Sequence, residues 1–473
     1  MGNLLLLVFT VCLLWLFYRD GKERPSVSRS IWIVLAWALT HGTRPVTSWF
    51  VGVDQDIFLS GSRDEGNPVE ALISLFLIIA GLIVLGRRNI RLPTVIRDNK
   101  WLFIFYLFWL MSIMWSDYPL ITSKRLFKDV GNVIMVLVVL TEREPSEAIR
   151  AVCARLVYVS IPLSILLYRF YPDLGRAYVG YKGDTQMFVG VATHKNTLGV
   201  LALVGTLFLL WDFIERRGHQ NGAAEKLSFA SRGLVLLMCW YVLLRINSVT
   251  SLVCAVFGST LLIVFCVPSV RRNPGRVEVF GLSTVMILWL FDSMFNIKEV
   301  FLQSLGRDVT LTTRTDIWSI VMPYQDNLLV GVGFNTFWVG QRLMSLFEKV
   351  GGIIQAHNGY LETYLNVGLV GVGLLLVLLL SGYMRIRKQL ITGIPEGSIR
   401  FVVLLVAIMY NYSEASFSKV GVLWLLTLFA VMQYRPQLPS RQASQSEDDN
   451  SLQESDTHRA PLSWDYPQVR SAK

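Results

Sequence analysis

Apolar residues in this chain fill whole segments instead of recurring on one face. They lie near 3–18, 31–51, 69–86, 101–115, 126–140, 152–168, 196–214, 233–247, 249–268, 278–296, 366–384, 401–417 and 419–434. A hydrocarbon layer is roughly 30 Å thick and takes about 20 helical residues to cross. No water is available there to bond backbone amides, so each segment reads as a helix. The pattern predicts an all-α polytopic membrane protein with about 12–13 transmembrane helices. Polar breaks are short except at 169–195 and 297–365, and connections that long in a compact protein usually carry function. The expected organisation is transmembrane helices over 1–296 with an outer loop near 169–195, a large, partly helical loop over 297–365, further spans over 366–434, and a polar tail at 435–473. In the large loop Phe337, Trp338, Leu343, Met344, Phe347 and Val350 recur near helical spacing. That predicts a helix along the bilayer interface, resting on headgroups or roofing a cavity.

Composition agrees: 53% of residues are apolar and 16% charged, with a mean hydropathy of +0.48, which excludes an ordinary soluble globule. The formal charge of +10 changes the picture only through its placement. Basic clusters fall at Arg19, Lys22, Arg24 and Arg29; at Arg87, Arg88, Arg91, Arg97 and Lys100; at Arg143 and Arg150; at Arg216, Arg217 and Lys226; at Arg271, Arg272 and Arg276; and at Arg385, Arg387 and Lys388. Consecutive clusters are separated by two candidate spans, so all lie on one face, read as cytoplasmic. The amino terminus is then outside and the carboxy terminus inside. The charge is a topology signal, and a nucleic-acid partner gains no support from it. The first span lacks a charged n-region and an A-x-A-like cleavage site, which reads as a retained anchor. Cys12, Cys153, Cys239, Cys254 and Cys266 lie in or beside apolar spans and read as packing residues, not as a disulfide framework or zinc cluster. The tail, with the acidic run Glu447, Asp448 and Asp449, reads as a disordered cytosolic extension.

Candidate chemistry gathers in the two outer loops. THKNTLGVLAL and AHNGYLETYLN both set a His and an Asn immediately before a span, giving His194 with Asn196 and His357 with Asn358. Asn196 and Asn358 read as N-caps, and the positive end of each helix dipole favours an anion such as phosphate. Lys195 adds a full charge to the first. A positive helix end disfavours imidazolium, so a His there tends to stay neutral and able to accept a proton. The alternative for His357 is a polar interface residue beside a capping turn; for His194 it is capping or headgroup contact. Arg314, in LTTRTDIW, reads as standing at a helix start with Asp316 in the first turn, and a guanidinium there suits a diphosphate. Its alternative is a structural ion pair with Asp316 or Asp308. Arg176, Lys182 and Arg307 read as solvated loop charges.

The residues HNGYLETYLNVGLVG, with His357, Asn358, Leu361, Gly368 and Gly371, resemble the signature of the O-antigen ligase and polysaccharide polymerase superfamily of bacterial envelope proteins. WSDYPLITSKR around Trp115 and Asp117, THKNTLG around Lys195 and Asn196, LTTRTDIW around Arg314, and GVGFNTFW around Gly331 and Gly333 are further matches, in an order similar to the exopolysaccharide-polymerase branch related to succinoglycan production proteins. The resemblance covers roughly residues 100–380. It implies glycosyl transfer on the outer face of the bacterial cytoplasmic membrane, with a polyprenyl-diphosphate-linked oligosaccharide as donor. It implies no metal and no nucleotide cofactor. By motif it gives Arg314 on the diphosphate and His357 near the acceptor hydroxyl, with Lys195 in a region where ligases use a basic residue. Val249, in NSVTS at 247–251, departs from relatives that often have a basic residue there. Partners on this reading are the lipid-linked saccharide, membrane lipid, and a chain-length regulator or another assembly protein.

The implied chemistry suits the residues. A sugar diphosphate already carries a good leaving group, so the protein must hold departing charge and deprotonate an alcohol. Arg314, Lys195 and the helix start at His194 and Asn196 are expected to hold the diphosphate, and His357 to take the proton. Ligation of finished polysaccharide to lipid A core uses the same donor half-site and stays open beside polymerisation. A transporter would show mid-membrane ionisable residues or broken helices with repeats. The residues Arg245 and Glu414 lie near span ends and no repeat is visible. A scaffold that only binds partners would require neither His357 nor Arg314.

Overall fold

The computed structural model describes residues 2–50, 67–179, 185–216, 223–267, 270, 273, 275–276, 278, 311–347, 349, 355–394 and 396–434. Apolar helices dominate: Gly2–Glu23, Ile31–Gly42, Pro68–Arg87, Lys100–Met111, Pro119–Leu140, Pro145–Phe170, Lys195–Glu215, Ala223–Arg245, Val249–Val264, Gly359–Ile391, Gly397–Ser413 and Val422–Val431. Among the described residues six helices are long and apolar enough to cross a membrane, and shorter apolar helices accompany them. The chain is an all-α polytopic membrane protein. Several helices begin where the sequence offers a proline for the first turn, at Pro68, Pro119 and Pro145. At Pro68 the Asn67 side chain also accepts the Val69 amide at 2.9 Å. The expected span at 278–296, Arg217, Arg271, Arg272, Lys182, Arg307, Asp308, Val350 and the tail at 435–473 lie outside the described residues.

The helices sort by what they face. Pro145–Phe170, Lys195–Glu215 and Val422–Val431 are largely enclosed, whereas Gly2–Glu23 and Pro68–Arg87 turn bare apolar faces outward. Phe76 is 70% exposed and Leu237 68%. Apolar surface spread over whole helices requires lipid as its solvent. Cys153, Cys239 and Cys254 pack inside, but Cys12 is exposed on its helix and Cys266 is exposed in the turn after Val249–Val264, so packing accounts for three of the five.

Not all of the basic clusters are free topology charges. Arg24 is buried against Asp20, Glu147 at 3.1 Å and Asp212 at 3.3 Å. Arg216 bridges the same Glu147 and Asp212, each at 2.9 Å, and Arg155 meets Asp20 at 2.7 Å. With Arg232 on Glu23, these pairs tie together four helices, Gly2–Glu23, Pro145–Phe170, Lys195–Glu215 and Ala223–Arg245, at the end remote from His357.

At the opposite end two irregular regions stand out. The segment near 169–195 holds a short antiparallel hairpin, Arg176–Val179 with Thr185–Phe188, which the apolar pattern does not announce. Arg176 is not simply solvated: it lies over the Tyr168 ring at 4.9 Å and donates to the Tyr168 carbonyl at 3.0 Å. The expected interfacial helix is also revised. Phe337 and Trp338 precede the helix, which is only Gly340–Phe347, and Phe337 is fully buried with Ile317, Val321, Val332, Leu346 and Leu365. These side chains give the loop a small core of its own, so residues that recur at helical spacing do not lie on one surface helix.

Gly359–Ile391 is broken at Val367 (φ −130°, ψ 17°) and Gly368 (φ 65°, ψ −168°). The amides freed by the break are taken up by the chain before it: Leu369 donates to the Leu328 carbonyl at 2.9 Å and Val370 to Leu329 at 3.0 Å. The Asn366 carbonyl accepts the Gly333 amide at 2.9 Å. A Cβ at Gly368 would lie 2.3 Å from the Leu329 backbone, so both the left-handed φ and the close approach select glycine. Gly371, one turn on, is buried with Val367 against it. Gly368→Ala is expected to lower stability by at least about 1–2 kcal/mol from the left-handed backbone alone. Gly373→Ala, on the same helix with open space around it, is expected to be neutral. Thermal unfolding of the two variants in detergent checks the contrast.

Candidate functional site

The site is assembled by helix ends. Asn358 caps Gly359–Ile391, its side-chain oxygen accepting the Tyr360 and Leu361 amides at 2.9 and 3.0 Å. Leu361 itself is half-buried beside the small loop core. A Cβ on Gly359 would meet the Asn411 side chain at 2.1 Å. Glycine there allows the start of this helix to press against the end of Gly397–Ser413, and Glu414 is the residue that caps that end. His357 has φ 50°, a left-handed conformation that costs a non-glycine residue about 1–2 kcal/mol. It is held by its neighbours: the Ala356 amide donates to the Glu362 carboxylate at 2.7 Å, and the Trp318 indole donates to the Ala356 carbonyl at 2.8 Å. Strain of this kind persists only where surrounding contacts fix it.

Glu414 is the hub. Its buried carboxylate accepts from the Asn196 side-chain amide at 2.8 Å and the Arg314 guanidinium at 3.0 Å through Oε1, and faces His357 Nδ1 at 3.1 Å through Oε2. An ionised carboxylate can only accept, so Nδ1 carries a hydrogen toward it, and it is the neutral ring that presents a lone pair at Nε2. The Gln355 amide nitrogen, 3.3 Å from the same Nδ1, is a neighbour of that ring and not its donor in this tautomer. Beside the carboxylate lies a cavity of about 230 Å³ lined by His41, His194, Asn196, Tyr410, Glu414 and Lys419. Lys419 donates to Gln355 at 3.3 Å. Among the described residues no group of three or more His, Cys, Asp and Glu side chains converges to hold a metal ion.

The structure brings Arg314, Asn196, His194 and His357 together, with two corrections to their roles. The N-cap of Lys195–Glu215 is His194, whose Nδ1 accepts the Asn196 amide at 3.2 Å. Asn196 is therefore one residue inside the helix, and its side chain is turned to Glu414. Arg314 does pair with an acid, but with Glu414, one hundred residues on, and not with Asp316. Asp316 stands in the second turn of Leu311–Val321 and is exposed. His357 faces the same Glu414 carboxylate. Lys195 opens its helix close enough to His194 for its charge to be felt there. Ser248, in the short loop before Val249, donates to the Asn196 side chain at 3.2 Å, so that loop reaches the site through its serine. Of the other motif residues, Trp115 donates to the Val330 carbonyl at 3.1 Å and Asp117 pairs with Arg342 at 2.9 Å. Sequence reasoning missed Glu414, Glu362, Lys419 and His41. The one available signal is an acid at the end of an apolar span.

The fold and site define a class: a polytopic membrane protein in which the ends of separate helices meet around a buried carboxylate. In sequence the chain is similar to the "Exopolysaccharide production protein ExoQ" of Rhizobium meliloti (strain 1021), 25% identical over 348 residues, which span 67% of this chain and 75% of that protein. The match supports the polysaccharide polymerase and ligase-like resemblance drawn from the motifs. No protein-family model matches the chain.

Burial pushes the pKa of His194 below its usual 6.5; Glu414 opposes the shift, and His357 and Lys195 add to it. The folded state therefore prefers neutral His194. The unfolded chain takes up the proton first as pH falls, so this residue's contribution is present above about 6.5 and is lost below it. Comparison of thermal unfolding of the wild type and His194→Gln between about pH 8 and pH 5 is expected to show a shallower acid loss in the variant.

Proposed function

We propose that the protein catalyses glycosyl transfer from a polyprenyl-diphosphate-linked saccharide in exopolysaccharide assembly, at the outer face of the bacterial cytoplasmic membrane. The reading rests on one observation above all: Glu414 joins Arg314, Asn196 and His357, three residues picked out by separate motifs. The similarity to an exopolysaccharide production protein supports the pathway, and the basic loops at the end remote from the site support the orientation.

In the proposed step the acceptor hydroxyl oxygen attacks the anomeric carbon of the donor sugar and the bond from that carbon to the diphosphate oxygen breaks. The electron pair leaves on the diphosphate. The hydroxyl proton passes to His357 Nε2, while Glu414 holds Nδ1–H and with it the ring tautomer. The imidazolium that forms then faces a carboxylate, which stabilises it where charge develops. Arg314 and Lys195 are the cations assigned to the leaving group, with His194 at the same helix end. Arg314 has one nitrogen committed to Glu414, and a guanidinium has further donors to offer.

The test is purified protein in lipid with a lipid-linked repeat unit as the sole saccharide, watched for longer lipid-linked chains. Growth of the chain supports polymerisation. Transfer only when a separate lipid or protein acceptor is added makes the protein a ligase, and saccharide crossing the bilayer unchanged makes it a transporter. His357→Ala is expected to lower the rate by roughly 10²–10⁴-fold. Arg314→Ala is expected to abolish polymer at normal membrane abundance. Glu414→Gln is expected to lower the maximal rate more than it weakens donor binding, because the amide no longer fixes the tautomer. Unchanged polymer in the His357 variant refutes the assignment.

A further inference from the structure

The segment Asn327–Gly331 belongs to the large loop, yet it does not sit clear of the membrane-facing surface. Its Leu328 and Leu329 carbonyls accept the amides of Leu369 and Val370, ten or so residues into Gly359–Ile391 and about 15 Å along that helix from its start. The depth can be read from the other end too. About 20 helical residues counted back from Arg385, the first basic residue of the far end, reach the neighbourhood of Leu365 and Asn366. Leu369 and Val370 then lie a turn inside the hydrocarbon, and Leu328 and Leu329 are beside them.

Two independent features agree with that depth. The first is apolar exposure: Leu328 is 59% exposed, Leu329 60% and Leu369 54%, and Met114, next to the Trp115 that bonds Val330, is 84% exposed. This surface continues the outward faces of Lys100–Met111, with Leu107 and Leu110, and of Gly359–Ile391, with Leu376 and Leu380. The second is the backbone. Irregular chain tolerates hydrocarbon only where its polar groups are met by protein. Here the Leu329 and Val330 amides donate to the Asn327 side chain at 3.0 and 3.2 Å, and the Gly331 amide donates to the Asn327 carbonyl at 2.9 Å. The carbonyls of Leu328, Leu329 and Val330 accept from Leu369, Val370 and the Trp115 indole. Six consecutive polar groups are thus satisfied without water, while the side chains between them are bare.

We propose that Asn327–Gly331 is a re-entrant turn seated in the lipid acyl chains of the leaflet on the His357 side, with Leu328 and Leu329 as its anchors. The occupant of this surface is lipid hydrocarbon, not a protein partner. The turn fixes the depth of the loop that carries Phe337 and its small core. This inference is independent of any activity, since it concerns lipid contact alone.

Single cysteines at 328, 329 and 326, introduced in a full-length background with the native cysteines replaced, can carry nitroxide labels in phosphatidylcholine nanodiscs. The labels at 328 and 329 are expected to be relaxed far more by oxygen than by a water-soluble nickel chelate, with the reverse at the exposed Asp326 position. Equal nickel accessibility at all three positions overturns the proposal. A second measurement uses the unaltered chain reconstituted with a phospholipid bearing a diazirine on its acyl chain. Carbene adducts at Leu328 and Leu329 are expected after irradiation. Adducts on Leu369 and Leu376 without any on Leu328 or Leu329 overturn the proposal even if the cysteine variants fail to fold.

Discussion

A carboxylate removed from water must be given donors, and the upper half of this molecule is arranged around that requirement at Glu414. Leaving such a group uncompensated costs several kcal/mol. Asn196, Arg314 and His357 meet the demand, and each arrives from a different part of the chain. Because a carboxylate cannot donate, it also dictates which imidazole nitrogen of His357 holds hydrogen. One electrostatic requirement therefore draws the helix ends together and orients the ring.

Close approach of backbones makes the arrangement possible. Gly359 lets the start of one helix meet Asn411 near the end of another, and Asn411 in turn accepts the Ser416 and Phe417 amides at 2.8 and 2.9 Å, shaping the turn after Glu414. Glu362 and Trp318 hold the left-handed backbone at His357 from the other side. The break at Gly368 lets the preceding loop bond directly to the helix that follows it. A membrane protein has few places where irregular chain is tolerated, and at this break the freed amides of Leu369 and Val370 are met by the Leu328 and Leu329 carbonyls.

The remote end obeys the same electrostatic rule with the signs exchanged. Arg24 is the buried ion, and Asp20, Glu147 and Asp212 surround it. The acids lie on three helices, so the guanidinium cannot be satisfied unless those helices pack. Some of the positive charge clustered at that end therefore staples the helices, while the site end keeps Lys419 beside a cavity.

The sequence by itself determined the membrane class, because runs of apolar residues admit only helices in lipid, and it located nearly every helix among the described residues. It also marked Asn196, His194 and His357 as worth attention, since polar residues at the threshold of apolar spans are conspicuous, and Arg314 as a cation at a helix start within the long loop. The tertiary structure alone decided that they meet. Glu414 is hundreds of positions from Asn196 and a hundred from Arg314, and no local pattern records that their side chains converge. It likewise decided that His194, not Asn196, caps its helix, because a cap depends on backbone angles that residue identity only biases. Phe337 and Trp338 looked like one face of a helix and proved to fill a core, since spacing reports which residues recur but not which surface they meet.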